Sequence, residues 1–169
     1  MLGFIAHGIG RLAEVAASLL RASLVATLVV MMSSIVFQVV MRYVLGNTLS
    51  WTEELAILMF AWGTLGGLAL GVHEGFHVRL DLLIGYLSPP LLRGVERAIG
   101  LLTTVFGAYV AWSGERFFDF TRGSTSAAIG YPIEFLHGLA PIAGALICLF
   151  ALNGMIQGPR SESAPDLSL

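Results

Sequence analysis

An all-α integral membrane fold of four transmembrane helices is what this sequence predicts, and three observations carry the expectation. Only 12% of the 169 residues are charged and 56% are hydrophobic, whereas a soluble domain carries roughly 25% charged residues. Mean hydropathy is strongly positive, at +0.83. Four stretches, 22–41, 55–72, 98–114 and 138–159, contain no charged residue, and a helix needs about 20 apolar residues to cross a bilayer core.

The spans are expected at about 22–42, 52–72, 91–114 and 132–156, within a single membrane domain 1–157. Leu91, Leu92 and Val95 lengthen the third, which opens after Pro89 and Pro90. Ser50 and Glu53 have the spacing of a capping box at the start of the second. The fourth opens at Tyr131 and Pro132 with Glu134 near its N-terminus, and Pro141 predicts a kink. Ahead of the first span, Arg11, Glu14, Ser18 and Arg21 share one helical face. That pattern fits an amphipathic helix lying at the membrane surface, or equally a plain extension of the span. The stretch 2–9 lacks a preceding basic residue, so a secretory signal is not expected and the mature chain is read from Met1. The tail 158–169 is rich in Ser, Pro and acids and is expected to be disordered.

Net charge is −2, which leaves no basic footprint for nucleic acid. All nine basic residues are arginines. Arg11, Arg21, Arg79, Arg93, Arg97 and Arg160 fall on one side of the four spans, and Arg42, Arg116 and Arg122 on the other. The excess places both termini in the cytoplasm. The lone cysteine, Cys148, supports neither a disulfide framework nor a cysteine metal site.

Several helix faces look for partners. Gly63, Gly67, Gly71 and Ala56 share a face of the second span, and Gly100, Gly107, Ala111 and Gly114 a stripe of the third. Small residues at this spacing let helix backbones approach closely in lipid. Ser23, Thr27, Ser34 and Gln38 form a polar stripe on the first span, which belongs against protein or water. These faces either pack within the bundle or dock on another subunit.

His73, Glu74 and His77 match H-E-x-x-H, in which two imidazoles one turn apart bind zinc and the glutamate activates water. Gly75 interrupts the motif, and a third ligand is lacking, since Glu134 and His137 belong to the opposite face about 30 Å away. A polar helix end at the cytoplasmic interface is the plainer reading, and a membrane-embedded zinc metalloenzyme the alternative. Bis-histidine haem ligation meets the same geometric objection. Arg42 faces Glu53 and Glu54 across a short turn, where an ion pair would fix the hairpin. No charged residue sits in the middle of any span, whereas transport sites usually need ionisable or unwound elements at mid-membrane.

The run Arg42, Tyr43, Val44, Leu45, Gly46, Asn47, Thr48, Leu49, Ser50, Trp51, Thr52, Glu53, Glu54, Leu55 resembles the hallmark of one family. This is the small membrane subunit, DctQ-like, of TRAP transporters (tripartite ATP-independent periplasmic transporters). The likeness continues through Phe60, Trp62, Gly66 and the His77 to Asp81 block, and through Ser126, Ile129, Pro132 and Pro141. It covers about residues 20–155. His73 departs from the family pattern, which more often has a basic residue there.

The resemblance implies a non-catalytic permease subunit without cofactor or metal, in a bacterial inner membrane. Its partners would be a large multi-span subunit, a periplasmic substrate-binding protein and membrane lipid. The assembly would import organic anions, such as carboxylates or sugar acids, with sodium, and the large subunit would hold the substrate and sodium sites. Arg42, Asn47, Trp51, Glu53 and Glu54 would shape the first periplasmic hairpin, and His77 and Asp81 the cytoplasmic end of span two. The segment 115–130, with Arg116, Phe117, Phe118, Phe120 and Arg122, is a candidate contact for the binding protein. Alternatively, its phenylalanines merely extend span three into the interface. A structural subunit of a different membrane complex is the remaining alternative.

Overall fold

The structure is a computed structural model that describes residues 2–75 and 89–157. Among them the fold is entirely helical: α1 (Leu2–Val44), α2 (Ser50–Glu74), α3 (Pro89–Phe120), the single turn α4 (Glu134–His137) and α5 (Leu139–Gln157). His77, Asp81, Arg79, Arg160 and the tail 158–169 lie outside the described residues.

Among the described residues, three stretches are long and apolar enough to cross a membrane: His7–Val44, Ser50–Glu74 and Glu134–Ile156. Four were expected. The helix Pro89–Phe120 is long enough but less apolar. Arg93, Glu96, Arg97, Glu115, Arg116 and Asp119 crowd its ends, and Thr103, Thr104, Tyr109, Trp112 and Ser113 dilute its middle.

α1 is one continuous helix of 43 residues, about 65 Å at 1.5 Å per residue. The N-terminal segment is therefore an extension of the span and not a separate surface helix. Its small residues explain why. Ala13 and Ala17 are fully buried in a cluster with Ala69 of α2 and Ile147 and Phe150 of α5. Glu14 and Arg21 turn toward the end of α2, while Arg11 and Ser18 stay exposed.

α1 packs on α2, α3 packs on α5, and α2 joins the two pairs through α5. The polar stripe of α1 faces α2. Ser34 is buried and returns its hydroxyl to Val30 O at 2.8 Å. A side chain at Gly63 would meet Thr27, and Gln38 donates to Glu53. Ser23 is exposed and donates to Leu20 O.

The α3 glycine stripe meets α5 inside this chain. A Cβ at Gly114 would lie 2.7 Å from Pro141 N, and one at Gly107 3.0 Å from Gly144 O. Gly144 completes the crossing, since a Cβ there would strike Ala111 N. Cys148 fits the same seam and donates from Sγ to Thr104 O at 3.2 Å. On α2 the small face is used in part: Gly66 lies against Leu20 and Leu24, whereas Gly67 faces open space.

Two local expectations are corrected. The Ser50–Glu53 capping box does not form. The helix begins at Ser50 itself with Leu49 as N-cap and no side-chain cap bond, Thr52 donates to Leu49 O at 2.7 Å, and Glu53 is taken by Gln38. The fourth apolar stretch is broken at Gly138, one turn before Pro141. Proline has no N–H to donate to the carbonyl four residues back, which here belongs to His137.

Candidate functional site

Two polar clusters stand at opposite ends of the bundle, and one of them organises the irregular segment between α3 and α4. Residues 121–133 fold on themselves as a compact loop. Thr125 and Pro132 form an antiparallel bridge, flanked by Ser126 N donating to Tyr131 O and Ile133 N donating to Ser124 O, both at 2.9 Å. Gly123 at φ 81° and Gly130 at φ 77° take the left-handed backbone that lets the chain turn back.

Three side chains hold this loop to the helices. Glu54, in the first turn of α2, accepts Ala128 N–H on Oε1 at 2.8 Å and Ile129 N–H on Oε2 at 2.9 Å. Glu134 accepts Gly123 N–H at 2.9 Å. His137 Nδ1 and Thr121 Oγ1 share a hydrogen bond of 2.8 Å, with Phe117 stacked on the imidazole at 4.3 Å between centroids. Burial, and then the charge of Glu54, raise the Tyr131 phenol above its ordinary value.

Beside it lies the α1–α2 hairpin. Gly46 turns the chain at φ 67°, and Asn47 N donates to Met41 O at 3.0 Å. Trp51 rests on Phe37 with centroids 6.0 Å apart. Of the residues expected to shape this end, Trp51, Glu53 and Glu54 come together with α1 and the loop. Asn47 stays exposed. The expected ion pair of Arg42 is absent among the described residues. Glu53 and Glu54 are engaged by Gln38 and by the loop amides, and Arg42 remains exposed.

The segment 115–130 is helical as far as Phe120, so its phenylalanines continue α3. Arg116 lies over the Trp112 ring at 4.4 Å, while Arg122 pairs with Asp119 at 3.1 Å and lies 5.5 Å from the Phe118 centroid.

At the far end, Arg21 pairs with Glu74 at 2.9 Å. His73 is buried against Phe150, 4.7 Å between ring centroids, with Glu14 Oε2 at 3.8 Å from Nε2. α2 stops at Glu74, and Gly75 adopts φ 76°. The helical register that H-E-x-x-H requires is therefore lost within the motif, and His77 lies outside the described residues. The glutamate that would activate water is instead paired with Arg21.

The loop contacts of Ala128, Ile129 and Thr121 have no local sequence signal. Those of Glu134 have a weak one, an acid two positions after Pro132 at a helix start.

Long helices with apolar stretches free of charge define a multi-pass membrane protein. Residues 30–160 match the family described as tripartite ATP-independent periplasmic transporters, DctQ component, and the chain belongs to that family. It is thus a TRAP transporter membrane subunit of the inner membrane, and not an enzyme. It is 32% identical over 123 residues to the C4-dicarboxylate TRAP transporter small permease protein DctQ of Rhodobacter capsulatus, covering 71% of this chain and 54% of that protein. The protein of the same name in Vibrio cholerae is 40% identical over 55 residues, 32% of this chain and 23% of the relative. A putative TRAP transporter small permease protein of Haemophilus influenzae is 25% identical over 159 residues, 93% of each chain. The chain therefore matches about half the length of the Rhodobacter relative and nearly all of the Haemophilus one.

Proposed function

We propose that this chain serves a sodium-coupled, binding-protein-dependent TRAP transporter that imports organic anions such as carboxylates or sugar acids. In this reading it packs on the large multi-span subunit and anchors it in the membrane. One observation carries the reading. Between the end clusters, the stretches 22–41, 55–72, 98–114 and 138–159 hold no Asp, Glu, His, Lys or Arg, so they offer no charged side chain to an ion or anion at mid-membrane. Its apolar flanks, including Val25, Val29, Val36 and Phe60, are exposed and suit lipid or a neighbouring subunit.

In this arrangement α3 also spans the membrane, as the third of four spans. Its 32 residues reach about 48 Å, and its uncharged middle packs on α5. Both termini are cytoplasmic, which puts Arg42, Asn47, Trp51, Glu53, Glu54 and the 121–133 loop in the periplasm. Of the two arginines expected to meet the periplasmic binding protein, Arg122 at the start of the loop keeps that role.

The test is uptake in proteoliposomes. The large subunit, with binding protein and an inward sodium gradient, is expected to transport only when this chain is co-reconstituted. Equal uptake without it would refute the anchoring role. Ser124→Cys, an exposed loop position, in a Cys148→Ser background should react with an impermeant maleimide from the periplasmic side of intact cells whose outer membrane is permeabilised. Labelling only after the inner membrane is opened would reverse the topology.

A further inference from the structure

The outer surface of α3 carries an unbroken helical column: Leu101, Val105, Tyr109, Trp112, Arg116 and Phe120 follow at intervals of three or four residues. All are exposed, with Trp112 at 52% and Phe120 at 84%. The chemistry changes along it, from aliphatic through aromatic to cationic.

At the cationic end the guanidinium of Arg116 is stacked on Trp112, which in turn leans on Tyr109 with centroids 6.0 Å apart. Asp119, three positions on and in reach of Arg116 by helical spacing, is drawn instead to Arg122 at 3.1 Å. Glu115 is the neighbouring position, about 100° round the helix. Arg116 makes no ion pair among the described residues. Its guanidinium is thus held in place by an aromatic face while its donors remain open to an external anion.

The spacing fits a lipid. From Val105 to Arg116 the helix rises about 16 Å, close to half of a bilayer core of about 30 Å. An acyl chain laid along Val105 and Leu101 would bring its phosphate to the Arg116 guanidinium. Tyr109 and Trp112 would stand at the ester level, where such rings favour the membrane interface. We infer that this column is a binding site for an anionic phospholipid, with Arg116 and Trp112 holding the headgroup phosphate.

The experiment uses the full chain with Trp51→Phe and Trp62→Phe, which leaves Trp112 as the sole tryptophan. It is reconstituted into phosphatidylcholine vesicles containing a minor fraction of brominated phosphatidylglycerol or, separately, brominated phosphatidylcholine. One basic side chain near a membrane surface attracts anionic lipid by about 1 kcal/mol, a local preference of about fivefold. Quenching of Trp112 should therefore be clearly stronger with brominated phosphatidylglycerol. Arg116→Gln should bring it down to the phosphatidylcholine level, and Arg122→Gln should leave it unchanged. Retained secondary structure and gel-filtration volume establish that the variants fold. Equal quenching by the two lipids, or selectivity that survives Arg116→Gln, overturns the proposal. So does shielding of Trp112 by the periplasmic binding protein when lipid selectivity is absent, which would mark the column as a protein contact.

Discussion

Glu54 accepts the backbone N–H of Ile129 at 2.9 Å, across 75 positions of chain. The other carboxylate oxygen accepts Ala128 N–H, so a single side chain at the start of α2 holds two successive amides of the loop between α3 and α4. The hairpin joining the first two helices and the loop before the last are thereby one unit.

Glu54→Gln removes one of the two acceptors and the charge. The amides of Ala128 and Ile129 are expected to exchange hydrogen faster, with exchange in α5 unaffected. In the reconstituted transporter the loss should appear as a higher concentration of binding protein needed for half-maximal uptake. Unchanged exchange at both amides would show that the loop holds its shape without this brace.

Gly144→Ala should be costly and Gly67→Ala should not. The added methyl at residue 144 meets Ala111 and Gly107 backbone, while that at 67 meets nothing within 4 Å. Overpacking of a tight contact costs about 1–3 kcal/mol, whereas alanine in place of an open helical glycine is neutral to favourable. Thermal unfolding in mild detergent separates them. Equal stability of the two variants would mean that the α3–α5 crossing is looser than drawn.

The Arg21–Glu74 pair is half open to solvent, with side chains 51% and 31% exposed. Pairs of this kind contribute less than about 1 kcal/mol and weaken with salt. Arg21→Gln should therefore lower the melting temperature slightly at low salt and not at high salt. The double exchange Arg21→Glu with Glu74→Arg should recover most of the loss. A large, salt-independent loss would point to packing of the arginine stem as its main role.

Tyr131 reports on the loop through pH. Its folded-state phenol is raised above its ordinary value by burial and by the Glu54 charge. The neutral phenol therefore adds stability that is complete below about pH 10. That contribution fades as the pH climbs through the raised folded value. In Glu54→Gln the ultraviolet titration of Tyr131 should move down toward the ordinary value yet stop above it, because burial remains. An unmoved midpoint would mean that Glu54 and Tyr131 are not coupled.

The first, second and last apolar helices were legible because lipid demands uninterrupted apolar runs, which 22–41, 55–72 and 138–159 supply. The glycine stripe on α3 was legible as a packing face, but its partner was not, since Gly144 is one of several small residues in a mostly apolar helix. The capping box misled because its glutamate has a stronger suitor in Gln38 on the facing helix. The arginine expected to pair with Glu53 or Glu54 was outcompeted in the same way, by backbone amides far along the chain. The acidic residues of the hairpin were found from sequence, and what they hold was not, because no local pattern records a contact across 75 positions.

The two polar clasps between α1 and α2, Arg21 to Glu74 and Gln38 to Glu53, are separated along α1 by 17 residues, or about 26 Å. That is close to the hydrocarbon thickness of about 27–30 Å found in thinner biological membranes. The helix pair is therefore a fixed gauge. A thicker bilayer must dimple or the pair must stand more upright, and a thinner one favours leaning, so membrane thickness joins helix packing in setting the tilt at which this subunit presents itself to its neighbours.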